Sequence, residues 1–589
     1  MRGGISPLFL YVCPMKIHAF LACFMLFFGP KYVAQSVLID TILPNTSFLS
    51  TVDSIEHFTS SSRSTLPSLG LHGGVFMDPL IAYRPLGVLM RPHSFSEQPI
   101  RFTALPLLGF AYGFGTQGSQ HLKFAYAQSF QHAWLLNIHY EGHGSNAFLR
   151  NNAWKQRNYR FDISHIGNRY QTKLTVEALT DQRQFSGGIQ VDSLAASFPL
   201  ALIPVRKDSC NSNWRMQRIS WQQSIDLLDD STRFLGLIHR STLALQRRVY
   251  AEQDTLHGLY PNIYVDSSNT LDRYERVSTT HQLGVGFSGT KFSVTAALVG
   301  DYWRMRMAGA QHDTLELGVL SDFSVTLSSW LFSARLAQNI RGGFGAIQIG
   351  LNAKGPISST HQVQISAFQG NIAPDVLQRF YYGNTLQYQM QNPGLQGLLQ
   401  VKGVMEGSVV GLLYEMRVSG LRTQEVYQFN GTSWVQNTTE SSRSLAVFEL
   451  SVKKSFRGLV LSPMFRYLFM KNAVFPNLIT GGSVGYDGFV SKTKNLYLFS
   501  KISYQYVNRY TPLAIDPQLL VMQLTPSGSS SFAYHNVSAT LGFKVKTFRL
   551  FVSGANLGSL WMNRAQPLYT HFPIPSWQLQ LGLIWEFWN

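Results

Sequence analysis

Trp577-Gln-Leu-Gln-Leu-Gly-Leu-Ile-Trp-Glu-Phe-Trp-Asn589 closes the chain. Side chains of an extended strand alternate with period 2, so Trp577, Leu579, Leu581, Leu583, Trp585 and Phe587 fall on one face. Gln578, Gln580, Gly582 and Glu586 form most of the other. A strand that is greasy outward, polar inward and rich in aromatic rings at its end meets the needs of the last strand of a transmembrane barrel, with lipid on one side and a wet lumen on the other. In that fold these six apolar residues serve as the closing-strand signal read by the barrel-assembly machinery.

The rest of the chain repeats the pattern from about residue 100 onward. Val537, Ala539, Leu541, Phe543 and Val545 oppose Ser538, Thr540, Gly542, Lys544 and Lys546. Phe292, Val294, Ala296 and Leu298 oppose Ser293, Thr295 and Ala297, while Trp134, Leu136, Ile138 and Tyr140 oppose Asn137, His139 and Glu141. Helical spacing fits none of these better than alternation. Tight junctions at Gly167-Asn-Arg169, Ser288-Gly-Thr290, Ser455-Phe-Arg-Gly458 and Lys546-Thr547 alternate with longer polar segments at 143–158, 181–214, 251–280, 301–312, 430–443, 470–479, 510–533 and 558–576. Short and long connections in alternation predict an all-β, antiparallel up-and-down transmembrane barrel of about 22 strands (18 to 24), with the short turns in the periplasm.

Composition agrees. Of 589 residues 14% are charged, against the roughly 25% usual in soluble proteins, and 13% are aromatic. After residue 35 no stretch reaches the ~18 apolar residues of a membrane helix, and a closed barrel is the other backbone that lipid tolerates. A soluble β-propeller would show a blade-length repeat, and none is visible.

Residues 1–35 read as a signal peptide: Lys16, an apolar run Ile17 to Phe28, a Gly29-Pro30 break, and cleavage near Ala34 or Gln35, with Met15 as the natural start. Phe20-Leu-Ala-Cys23 faintly resembles a lipoprotein box, but the apolar core continues past the cysteine. Residues 36–100 are expected to be a periplasmic or lumenal segment without a plug domain of its own, and 101–589 to be the barrel. Cys210 is the one cysteine after the leader, so no intrachain disulfide can form there.

Three blocks make the chain resemble the putative porin family of Bacteroidota outer membranes. The first runs from His121-Leu-Lys-Phe-Ala-Tyr through Tyr140-Glu-Gly-His-Gly-Ser to Arg169-Tyr170. The second comprises Ile203-Pro-Val-Arg206, Gln222-Gln-Ser-Ile-Asp226 and Tyr260-Pro-Asn-Ile-Tyr-Val-Asp266. The third comprises His535-Asn536, Phe548-Arg-Leu-Phe-Val552, Ala555-Asn-Leu557 and His571-Phe-Pro-Ile-Pro575. Residues 310–530 match more by pattern than by motif, and Trp577-Gln578 departs from the glycine and arginine that members often carry. The resemblance implies a β-barrel in the outer membrane of a Gram-negative bacterium and leaves the cargo open.

The formal charge is +17, and without Arg2, Lys16 and Lys31 of the leader 46 basic residues stand against 32 acidic, or +14. These cations are scattered without a recognition motif, which speaks against nucleic acid. Lys123, Lys173, Arg335, Lys402, Arg466, Lys501, Lys544 and Arg549 sit on the polar face of their strands as candidate lumen-lining bases. They would draw anions into the channel, or form paired ladders with Glu141, Asp162, Glu177, Asp301, Glu316 and Glu586. Arg247, Arg248, Arg273 and Arg276 read as loop residues able to hold lipopolysaccharide phosphates. Tyr302, Trp303, Trp330, Tyr381, Tyr382, Trp434, Tyr506, Tyr510, Trp561, Trp577, Trp585 and Trp588 suit interfacial girdles, with a carbohydrate-stacking platform as the alternative.

No catalytic motif appears, so no catalytic residue, cofactor or metal is expected; His139 and His143 read as lumen and rim residues. The expected function is passive diffusion of small hydrophilic solutes with a weak anion preference. An energised or lipoprotein-gated transporter barrel, or a non-conducting assembly barrel, are the alternatives.

Overall fold

The computed structural model describes residues 39–42, 100–103 and 105–588, with short breaks inside connections. Its wall is built from β1 (Leu107–Gly115), β2 (Ser119–Phe130), β3 (Trp134–Ser145), β4 (Trp154–Ile166), β5 (Tyr170–Gln184), β6 (Cys210–Asp226), β7 (Phe234–Glu252) and β8 (Thr270–Ser288). There follow β9 (Phe292–Met307), β10 (Ala310–Leu327), β11 (Trp330–Arg341), β12 (Ile347–Ser358), β13 (His361–Ile372), β14 (Gln396–Val409) and β15 (Leu412–Gln424). The circuit ends with β16 (Ser442–Phe456), β17 (Leu459–Met470), β18 (Leu478–Phe489), β19 (Tyr497–Tyr510), β20 (Phe532–Val545), β21 (Phe548–Ala555) and β22 (Gln578–Trp588). Each pairs antiparallel with its sequence neighbours, and β22 also pairs with β1, giving a closed cylinder of 22 strands. At the seam Trp585 lies between Phe548 of β21 and Phe110 of β1. Closure leaves no wall edge with unpaired backbone groups, which is the condition for strands to cross lipid.

The register carries one face unbroken around the wall. Leu283 stands opposite Leu298, Leu298 opposite Val319, and Leu351 opposite Ala367. These side chains point away from the axis: Leu298 is 64% exposed, Ile502 62% and Leu541 57%. So large a continuous apolar exterior is stable only in lipid. On the inner face Asn137, Asp162, Glu177, Thr540 and Gln580 are buried.

All four expected tight junctions lie at one rim, where β10–β11, β12–β13 and β14–β15 also turn back. At the other rim stand the long connections 185–209, 253–269, 373–395, 425–441, 511–531 and 556–577. The segment 301–312 is not a loop: β9 and β10 run through it to Met307 and from Ala310, with Asp301 opposite Glu316 and Arg304 opposite Asp313. Its charges look like a loop in sequence because above the lipid the outward face turns polar, with Arg304, Arg306, Gln311 and Asp313, while Trp303, Met305 and Met307 turn inward and are buried. A barrel strand needs only ~9–11 residues to span, and β6, β7 and β8 have 17, 19 and 19. The segments 143–158 and 251–280 likewise shrink to the connections 146–153 and 253–269.

The barrel begins at Leu107 rather than 101. Ile39–Ile42 and Ile100–Thr103 instead form a separate parallel pair, and the second of these strands lies against β2 and β3. The expected signal peptide falls outside the described residues.

The β14–β15 turn consists of Val410 (φ 50°) and Gly411 (φ 68°) alone. Left-handed backbone suits Gly and Asn, whereas a β-branched side chain clashes there, and Val410 has no packing to lose because it is 88% exposed. Val410→Asn is expected to stabilise the barrel by about 1 kcal/mol, read as a higher urea midpoint by tryptophan fluorescence in detergent.

Candidate functional site

The lumen wall follows from the register. Lys123 stands opposite Glu141, Lys173 opposite Ser164 and Gln222, Arg335 opposite Asp322, Lys402 opposite Ser366 and Ser419, and Arg466 opposite Glu449. Lys501 is opposite Thr540, and Lys544 is opposite Arg549, which in turn faces Ile584 of the closing strand. All eight therefore lie on the inner face, as do Glu141, Asp162, Glu177, Asp301, Glu316 and Glu586.

Four of the eight are held by acids. Lys173 lies 3.9 Å from Asp162, Arg335 2.7 Å from Asp322, Arg466 3.1 Å from Glu449 and Arg549 3.8 Å from Glu586. A second network sits deeper in the wall. Arg160 grips Asp162 at 2.7 Å and reaches Glu177 at 3.4 Å, while Arg218 also contacts Glu177 and Thr175 donates to Asp162 at 2.6 Å. Removing one partner of such a buried pair leaves the other charge uncompensated, at a cost of roughly 3–5 kcal/mol. The ladder reading thus describes much of this wall, and its field toward a passing ion is correspondingly weakened.

The long connections do not stand free above the lumen. Twenty-two strands enclose a cylinder roughly 40 Å across between backbones. Phe185, Ile189, Leu200 and Ile203 of the β5–β6 connection join one apolar cluster with Leu398 of β14, Leu421 of β15, Leu445 and Val447 of β16 and Leu468 of β17. Cys210 and Tyr250, on the near wall, belong to the same cluster. Phe148 and Leu149 of the β3–β4 connection, Leu513 of β19–β20 and Phe572 of β21–β22 complete it, so opposite walls are bridged by connections packed together.

A second bridge is polar at its centre. The β19–β20 connection carries Pro517 and Gln518 to the far wall, where Arg248 of β7 donates to both their carbonyls and Gln518 donates to Asp272 of β8 at 2.6 Å. Asp272 also accepts from Tyr381 at 3.0 Å and from the Asn384 backbone at 2.8 Å, both in the β13–β14 connection. The Asn384 side chain accepts from the N–H groups of Val265 and Asp266 and donates to the carbonyls of Asp266 and Asn269. Tyr274, Trp303, Met305, Tyr381, Phe429, Trp434 and Leu519 close an apolar cluster around this network. Burial raises the Tyr381 phenol well above its ordinary value, and the Asp272 carboxylate adds to the effect, so Tyr381 remains a donor. The connections form a lid across the outer mouth.

A family model described as "Putative porin" matches residues 92–589. The chain belongs to that family. No curated protein matches it. Among solved structures, this porin-family barrel is similar to the copper transporter OprC, with 10% identity over 85% of this chain and 84% of that one and a TM-score of 0.60. It is also similar to the siderophore receptor PirA of Acinetobacter baumannii (9%, 82% and 80%, 0.56) and to the FrpB iron transporter of Neisseria meningitidis (10%, 82% and 82%, 0.57). At such identities the likeness is one of fold. Family and fold together place the protein in the outer membrane of a Gram-negative bacterium.

Several sequence expectations shift inside this porin-family lid. Trp303, Tyr381, Trp434 and Tyr510 are buried rather than interfacial, and Tyr381, Tyr388, Phe429 and Trp434 form the aromatic grouping that linear spacing did not reveal. Arg247, Arg248, Arg273 and Arg276 lie in strands β7 and β8, not in a loop. Arg248 is buried on the lid, and Arg276 packs over the Trp303 ring. Neither is placed to meet lipopolysaccharide, because alternation turns both inward; Arg247, ion-paired with Glu275, remains on the outer face.

Asn384→Ala removes the hub of the lid and, of the wall, loses only the side-chain bond to Thr270 at the end of β8. The expected loss is roughly 2–4 kcal/mol of local lid stability. Limited trypsinolysis at Arg379 should accelerate while the melting temperature of the barrel stays unchanged.

Proposed function

We propose that this porin-family barrel passes small hydrophilic solutes across the outer membrane by diffusion, with the lid as its selecting constriction. The observation that carries the reading is the polar, charge-paired inner wall beneath a mouth crossed by loops. A wet lumen lets a solute keep its hydrogen bonds, and the lid limits which solutes reach it. Paired acids cancel much of the basic field, so the anion preference is weak; Lys402, between two serines in register, and Lys544, beside Arg549, are its chief sources. Lipid and lipopolysaccharide surround the wall, and the barrel-assembly machinery inserts it by reading the closing strand. Neither catalysis nor a cofactor enters this mechanism.

The extent of the lid favours a second reading, an energised or lipoprotein-gated transporter whose partner opens the mouth. Planar-bilayer recordings separate the two. Diffusion requires a steady small conductance, a several-fold rise on Asn384→Ala, and a reversal potential slightly on the anion side in a salt gradient. Silence of both wild type and lid variant, with the barrel folded, would remove the diffusion reading, and a cation-selective reversal potential would remove the anion preference.

A further inference from the structure

Three donor groups converge on the inner wall of β2 and β3, apart from the ion-pair ladder. His121 and His143 are cross-strand partners, and Glu141, two residues before His143, shares their face. His121 Nε2 lies 3.1 Å and His143 Nε2 3.4 Å from Glu141 Oε1, and one ligand atom from each of the three lies within 4.8 Å of the others. Ligands held at ~2.0–2.1 Å around a tetrahedral zinc ion stand ~3.3 Å from one another. The two His-to-Glu spacings match that edge.

Packing holds the rings where they are. The two imidazoles stack with centroids 4.0 Å apart, and Trp154 stacks on the outer side of His143 at 5.6 Å. Both rings are buried while the Glu141 side chain is 35% exposed, so the opening between the donors faces the lumen. The buried Nδ1 of His143 has no hydrogen-bond partner among the described residues, so no second bond fixes which of its nitrogens meets a ligand. His139, the other histidine that sequence spacing singled out, stands opposite Arg160 and outside the trio.

We infer that His121, Glu141 and His143 bind one divalent transition-metal cation of the class that imidazole favours, Zn²⁺, Ni²⁺ or Cu²⁺. The remaining coordination position opens to lumen water, as in three-ligand sites. Ca²⁺ and Mg²⁺ require six or more oxygen donors or retained waters and are excluded by this donor set. Lys123, opposite Glu141 in register, competes for the carboxylate and so raises the demand on imidazole affinity. This site is independent of the permeation reading.

The test uses the full barrel in detergent without an affinity tag, stripped with chelator and titrated with Zn²⁺ against a chromophoric competitor. One equivalent should bind to the wild type and raise its melting temperature. His121→Asn combined with His143→Asn should weaken binding by about tenfold or more and abolish the thermal shift. Glu141→Gln, which conserves shape, gives the same readout should the double variant not fold. No stoichiometric Zn²⁺ on the wild type, equal Ca²⁺ binding, or unchanged Zn²⁺ affinity in the variants would overturn the site and leave a hydrogen-bonded trio.

Discussion

Backbone hydrogen bonding in lipid is the constraint on which everything else in this molecule rests. Hydrocarbon offers no partner to an N–H or C=O, so a sheet can cross only if its first and last strands pair. Here β22 meets both β21 and β1, and the alternation of the closing strand follows: one face must suit lipid, the other the lumen. The same rule repeated around 22 strands fixes which side of every wall residue is wet. Charge content, strand pattern and turn placement are consequences of it.

Once the wall is closed, its width creates a second problem. A cylinder of this size is too broad for wall side chains to fill, and the outer mouth is occupied instead by connections that leave one wall and anchor on another. Their anchoring is mixed. Leucines and aromatic rings supply burial, while Asp272, Asn384, Gln518 and Arg248 supply direction, since a buried hydrogen-bonded hub tolerates few alternative arrangements. The lid is more specific in geometry than an apolar plug would be.

The inner wall shows how similar charges serve different ends. Arg160 and Asp162 are consumed by each other, so they stiffen the wall and offer little to a solute. Lys402 faces serines and keeps its field. His121, Glu141 and His143 form a compact donor set because β2 and β3 happen to register a histidine against a histidine beside a carboxylate, an accident of pairing that neither strand alone contains.

Alternation along each strand, short junctions such as Lys546-Thr547 and the scarcity of charge were enough to read a closed barrel, its approximate strand number, and the inward direction of Lys402 or Arg549, because period-2 geometry is local and lipid enforces it. Where strands rise above the lipid that enforcement ends, and 301–312 looked like a loop although it is β9 and β10. Nothing local to Asn384 or Gln518 announced the lid, because their bonds to β7 and β8 join residues more than a hundred positions apart. Nor could spacing within one strand bring His121 to Glu141 and His143. Those groupings depend on register and on the closure of the cylinder, which only the tertiary structure decides.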